Sequence, residues 1–131
     1  MLISVVIPTH KQTHLKRTLE SLKNQEGISP NDYEVIVVNN PHELETYRLV
    51  KEYGFKFAIS KLGSNNARHV GISLAQSPII ALTDDDCEVN PRWLSRLLGL
   101  HGIYNKAGVI CGPLKLKYID EQQKWLTDDL E

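Results

Sequence analysis

Cysteine, long apolar runs and an excess of either charge are all in short supply here, and each shortage removes a class of protein. The only cysteines, Cys87 and Cys111, lack C-x-x-C spacing, so neither a disulfide framework nor a thiolate metal knuckle is expected. That usage suits a reducing cytosol. No stretch approaches the ~20 apolar residues of a spanning helix. Met1-Leu2-Ile3 runs straight into a strand-like segment without a basic leader, so no signal peptide is read. The expectation is a cytoplasmic protein, with any attachment to the membrane's cytoplasmic face supplied by other segments. Net charge is −1, from 15 Lys and Arg against 16 Asp and Glu, and the basic residues are scattered. Nucleic acid is therefore excluded as a partner, since a phosphate backbone calls for a basic stripe. His10, His14, His42, His69 and His101 contain no H-x-x-x-H pair, so no zinc site is expected.

What is present is enough for one core. At 131 residues, 41% apolar and 24% charged, the chain reads as a single domain over 1–131. Leu2–Ile7, Tyr33–Val38, Phe55–Ile59, Ile79–Leu82 and Gly108–Cys111 are short apolar runs bounded by turn residues, the pattern of buried strands. Between them lie helical periodicities. Leu15, Leu19 and Leu22 recur between Thr13, a candidate N-cap, and Gly27, a candidate stop. A second helix spans about His42 to Tyr53 and ends at Gly54. A third, Ser64 to Ala75, places Ala67, Val70, Gly71 and Leu74 on one face. A fourth opens with Asn90 as N-cap and Pro91 at the first helical position. The alternation predicts an α/β fold, a three-layer α/β/α sandwich with a mostly parallel sheet.

In such sheets, ligands sit beyond the carboxyl ends of strands where the strand order reverses. Pro8, Thr9 and His10 follow the first strand, Asn39 and Asn40 the second, and Asp84, Asp85 and Asp86 the fourth. Three consecutive carboxylates repel one another, and a divalent cation such as Mg²⁺ or Mn²⁺ relieves that by sharing them with a substrate's phosphates. A solvated turn is the alternative for an Asp run. Trp93 shares a helical face with Leu97 and reads as core, while Trp125 is left between a sugar-stacking role and surface.

In this order the motifs resemble the amino-terminal half of the family 2 glycosyltransferases, which have the Rossmann-like GT-A fold. Ser4-Val5-Val6-Ile7-Pro8-Thr9-His10 is similar to the family's opening strand, and Glu34 to Asn40 to its E-[IV]-I-V-V-D-[DN] segment. Gly63 with Ala67-Arg68-His69-Val70-Gly71 resembles G-x-x-x-A-R-N-x-G. Leu82-Thr83-Asp84-Asp85-Asp86 with Pro91, Trp93 and Leu94 resembles [FL]-L-D-x-D and the P-x-W-L helix after it.

The resemblance implies an inverting transferase that moves a sugar from a nucleotide-diphosphate donor, UDP-linked by preference, to a hydroxyl of a carbohydrate or lipid-linked acceptor in polysaccharide biosynthesis. It implies nucleotide contacts at Pro8, Thr9, His10, Asn39, Asn40, Arg68, Asp84 and Asp85, with Asp86 and Asp84 on Mg²⁺ or Mn²⁺. Asn39 and Asn40 replace one or two of the family's acids, and Lys11 and His69 stand where it often has asparagine. The family's second half normally carries the catalytic base. Glu121, Asp128, Asp129 and Glu131 match no segment that supplies it, so the domain is read as incomplete at its C-terminus. An interrupted domain exposes apolar surface, which leaves a homo-oligomer open.

Two other readings remain: a non-catalytic module that binds a nucleotide sugar, and a nucleotidyltransferase. The second usually needs a glycine-rich loop after the first strand, and Pro8-Thr9-His10-Lys11-Gln12 contains no glycine. A dinucleotide-binding dehydrogenase is excluded because no G-x-G-x-x-G follows that strand. A receiver domain is excluded because no acidic pair does.

Overall fold

The computed structural model describes residues 1–10, 13–40 and 43–114. Lys11, His42, Glu121, Trp125, Asp128, Asp129 and Glu131 lie outside the described residues.

Two strands form the centre, β1 (Ile3–Thr9) and β2 (Tyr33–Asn39), and every residue of both is buried. Runs this rich in Val and Ile suit a sheet covered on both faces. They pair in parallel from Ile3 opposite Tyr33 to Thr9 opposite Asn39. β3 (Lys56–Ile59) adds to β2, and β4 (Ile80–Leu82) adds to the other side of β1, giving the order β3-β2-β1-β4 with every pairing parallel.

The helices are α1 (Leu15–Lys23), α2 (Leu44–Glu52), α3 (Ser64–Leu74) and α4 (Trp93–Ile103). Leu15, Leu19 and Leu22 of α1, Val50 of α2 and Leu94 of α4 share a core with Ile3, Val5, Ile7, Val35 and Val37. Ala67 of α3 packs on the opposite face with Ile36 and Val38. This is the expected three-layer sandwich. Its layering follows from a constant crossover hand: two crossovers running one way from β1 to β3 stay on one face, and the reverse crossover to β4 must take the other. The order therefore reverses between β1 and β4, and a crevice opens beyond their carboxyl ends.

A buried carboxylate helps set where β4 starts. Glu34, near the amino end of β2, accepts from Ser4 Oγ at 2.6 Å, from the Gln76 N–H at 2.7 Å and from Lys56 Nζ. Burial alone would raise its pKa, but these donors together hold it below the usual range. Ser77 N–H donates to Ser4 Oγ, and Ser77 Oγ donates to the Leu2 carbonyl. The α3–β4 connection is thus clasped to the sheet.

Five local expectations need correction. Gly108–Cys111 forms no strand: it pairs with nothing among the described residues, and Val109 is 81% exposed. Thr13 does not cap α1, whose first flanking residue is His14 without a side-chain cap. The helix also ends at Lys23, well before Gly27. Gly27 instead turns the chain at φ 76° against the Cβ of Ser95. Asn90 and Pro91 form a turn ahead of α4, in which the Asn90 carboxamide oxygen accepts the Arg92 N–H at 2.9 Å. The N–H of Leu94 in the first turn of α4 is satisfied from afar, by the Gln25 carboxamide oxygen at 3.0 Å. On α3, Ala67 and Gly71 are buried as expected, but Leu74 is half exposed.

Candidate functional site

The crevice at the reversal is a cavity of about 270 Å³. Of the nine residues singled out in the sequence, Pro8, Thr9, His10, Asn40, Arg68, Asp84, Asp85 and Asp86 line it, and Ser64 and Ala67 complete the wall. Ser64 is a residue that motif reading passed over. Its signal was positional, because it is the first residue of α3, so the positive end of that helix borders the cavity.

Asn39 is the residue not brought in. It is fully buried behind the wall, where its Nδ2 donates to the Thr9 carbonyl at 3.2 Å and its Oδ1 accepts the Glu43 N–H at 2.7 Å. It ties the end of β1 to the start of α2, and so supports the cavity without lining it.

The aspartate run divides by direction. Asp85 turns inward: its carboxylate accepts from Thr9 Oγ1 at 2.8 Å and its carbonyl from Thr18 Oγ1 at 3.0 Å. Burial, reinforced by the neighbouring Asp86 and Asp84, raises its pKa despite the Thr9 bond. Asp84 and Asp86 are exposed. Asp84 accepts from Arg68 Nη2 at 3.3 Å, and Arg68 Nη1 also reaches Ser64 Oγ at 3.4 Å.

Asp86 approaches Cys87 Sγ at 3.7 Å, and one ligand atom from each of Asp84, Asp86 and Cys87 lies within 4.8 Å of the others. These residues fit a divalent cation: two carboxylates supply the oxygens a hard ion prefers, with room for waters and substrate oxygens. The absence of C-x-x-C spacing had pointed away from the cysteines, yet Cys87 joins this group. Burial first, then the adjacent acids, push its thiol pKa up, so the carboxylates are the natural ligands for a hard ion.

His10 and Asn40 are joined within the wall. A carbonyl only accepts, so at 2.6 Å the His10 Nδ1–H donates to the Asn40 oxygen, while the Asn40 N–H donates to the Thr9 carbonyl at 3.0 Å. A second, more open groove of about 500 Å³ runs past Ile59, Lys61 and His69 on the far side of α3. No helix among the described residues is long and apolar enough to cross a membrane. Trp93 is half-buried against the core, as its position beside Leu97 predicted.

Comparison with known proteins shows the family and the fold. The model of the family described as Glycosyl transferase family 2 matches residues 4–129. A validoxylamine A glucosyltransferase from Streptomyces hygroscopicus subsp. limoneus is 30% identical over an alignment of 119 residues that covers 85% of this chain and 26% of that protein. The chain thus spans about a quarter of the curated relatives it matches. Among solved structures, S. aureus TarS 1-349 in complex with UDP-GlcNAc has a TM-score of 0.69 at 23% identity, covering 80% of this chain and 32% of that one. Glucosyl-3-phosphoglycerate synthase from Mycobacterium tuberculosis, in complex with Mn2+, UDP and phosphoglyceric acid, has a TM-score of 0.61 at 17% identity, covering 75% and 38%.

Proposed function

The chain belongs to glycosyl transferase family 2, and from that membership we propose that it forms the donor half of an inverting enzyme that moves a sugar from a UDP-linked donor to a hydroxyl acceptor. One observation carries the reading: Asp84 and Asp86 face outward beside Arg68 and the amino end of α3, in a single cavity at the strand-order reversal. Two acids next to a guanidinium and a helix N-terminus form a cradle for a cation together with a diphosphate.

Each residue then has a task. Asp84 and Asp86 hold the Mg²⁺ or Mn²⁺, and Arg68 meets the diphosphate with paired N–H donors that a lysine could not match. When bound, the cation supplies Lewis-acid stabilisation of charge on the leaving diphosphate. Thr9 and Asp85 form the floor, and His10 and Asn40 face the nucleoside. Inversion needs an acceptor hydroxyl to attack the anomeric carbon opposite the diphosphate while a carboxylate takes its proton. That carboxylate, and acceptor choice within polysaccharide synthesis, belong to sequence outside the cavity described here. The reaction is placed in the cytoplasm, where nucleotide sugars are made.

The complementary reading, a module that binds the donor without turnover, is favoured by one point: among the described residues, no acid lining the cavity is left over to serve as base once Asp84, Asp85 and Asp86 are assigned. Titration of the chain with UDP in the presence and absence of Mn²⁺ tests the shared premise. Mn²⁺-dependent UDP binding that disappears in Asp86→Ala supports it, and metal-independent or unchanged affinity overturns it. Slow hydrolysis of a UDP-sugar then selects the enzyme over the module.

A further inference from the structure

The aspartates ride on a segment with little structure of its own. Residues 83–92, between β4 and α4, form no helix or strand, and the turn over Asp84–Cys87 closes on a long bond, 3.5 Å from the Cys87 N–H to the Asp84 carbonyl. Three adjacent carboxylates push such a segment apart. The opposing bonds come from α1. Thr18 and Ser21 on that helix and Gln25 just past its end follow one another at helical spacing and form a single polar stripe. Thr18 Oγ1 donates to the Asp85 carbonyl at 3.0 Å, and Ser21 Oγ accepts the Val89 N–H at 3.1 Å. Gln25 donates from Nε2 to the Asn90 carbonyl at 2.9 Å, while its Oε1 accepts the Leu94 N–H at 3.0 Å. The stripe is also bonded along its own length: Ser21 Oγ donates to the Thr18 carbonyl at 2.7 Å, and Gln25 Nε2 to the Ser21 carbonyl at 3.0 Å.

We infer that this stripe, with Thr18 at its head, positions Asp84 and Asp86 for the cation, so that Thr18, Ser21 and Gln25 are positioning residues of the site. The inference rests on the metal-dependent reading above and adds residues that line no part of the cavity. Asp85 is pinned twice, its carboxylate by Thr9 Oγ1 and its carbonyl by Thr18 Oγ1. With the middle acid drawn inward, its two neighbours are left exposed and facing the cavity. Carboxylates already gathered bind an ion without the entropy loss of gathering them. Thr18 is fully buried, so removing its hydroxyl takes a donor from the Asp85 carbonyl that water cannot readily replace. Groups that orient metal ligands without touching the metal typically govern affinity by about 10- to 100-fold.

The test is equilibrium dialysis of the 131-residue chain with labelled UDP across a Mn²⁺ series, for the unmodified chain, Thr18→Val, Thr18→Ser, Ser21→Ala and Val50→Ala. The reading is the Mn²⁺ concentration that gives half-maximal UDP binding. Thr18→Val keeps the side chain's shape without its donor and should raise that midpoint by about 10-fold. Thr18→Ser returns the hydroxyl and should stay within about twofold of the unmodified chain. Ser21→Ala should raise the midpoint by about fivefold, and it decides the matter if Thr18→Val fails to fold. Val50→Ala removes core packing on α2, so it should lower stability and the plateau of bound UDP while leaving the midpoint within about twofold. A purely structural role for Thr18 would likewise lower the plateau alone. An unmoved midpoint in Thr18→Val, no recovery in Thr18→Ser, or an equal shift in Val50→Ala overturns the inference and leaves the donor reading standing. UDP binding by the unmodified chain that does not depend on Mn²⁺ overturns both.

Discussion

Arg68 and Asp84 meet at 3.3 Å across the mouth of the cavity, so the carboxylate a cation would use is already shared with the guanidinium a diphosphate would use. Both side chains are well exposed, at 35% and 60%, and an exposed pair is worth little. Arg68→Met should therefore tighten Mn²⁺ binding to the nucleotide-free chain only modestly, by less than about fivefold. The same change should weaken UDP binding in the presence of Mn²⁺ by about 10-fold or more, because a charge-assisted pair of hydrogen bonds is lost. Paired calorimetric titrations read both effects. A variant weakened equally toward Mn²⁺ alone and UDP would mean that Arg68 holds the loop in shape.

Asp86→Ala separates chemistry from folding. Asp86 is exposed and its one described contact is the Cys87 thiol at 3.7 Å, so the melting temperature in EDTA should move by no more than about 2 °C. The stabilisation that UDP with Mn²⁺ gives the unmodified chain, several degrees at saturating ligand, should vanish. Thermal melts with and without ligand check both halves of the expectation.

The sequence made the sheet legible because β1 and β2 are unbroken runs of buried β-branched residues, and the site legible because its residues follow those strands. What stayed hidden depends on contacts between distant segments. Gln25 reaches 69 residues along the chain to the Leu94 N–H, so no local pattern could place the start of α4. Gly108–Cys111 has strand composition, but composition cannot supply a partner edge. Asn39 and Asn40 are neighbours of the same type, and only the fold shows one spent on Thr9 and Glu43 while the other faces the cavity. The aspartate run likewise looks uniform until Thr9 draws Asp85 inward.

Gly71 reads in the sequence as one more small residue on the apolar face of α3, but its packing makes it exacting. A Cβ there would lie 2.3 Å from Val6 Cγ1 and 3.3 Å from Val38 Cγ2. Val6 belongs to a fully buried β-branched strand and cannot swing away. Gly71→Ala should cost about 2 kcal/mol or more, despite alanine's better helix propensity. Urea denaturation checks this, and an unchanged midpoint would show that α3 can lift from the sheet freely. Because α3 also carries Ser64 and Arg68, UDP affinity should fall along with stability.

Asp85 gives the metal-free chain a pH dependence whose sign can be worked out. Burial raises its folded pKa, so the fold prefers the protonated carboxyl. Its contribution is present below the unfolded value of about 4 and is lost as pH rises through the folded value. Glu34 has the opposite sign: its folded pKa is lowered, so its contribution is present above the unfolded value and is lost as pH falls through the folded one. As pH rises from 4, the Glu34 contribution is being completed while the Asp85 contribution is being withdrawn. Asp85→Asn keeps an oxygen that can accept from Thr9 Oγ1 and removes the charge. In EDTA it should raise the melting temperature at pH 7 by a few degrees, roughly the effect of 1 kcal/mol, and have almost no effect at pH 4. A cation bound at Asp84 and Asp86 offsets the same repulsion, so Mn²⁺ should narrow the difference between the two proteins at pH 7. Parallel pH dependences with and without the substitution would show that Asp85 carries no unfavourable charge.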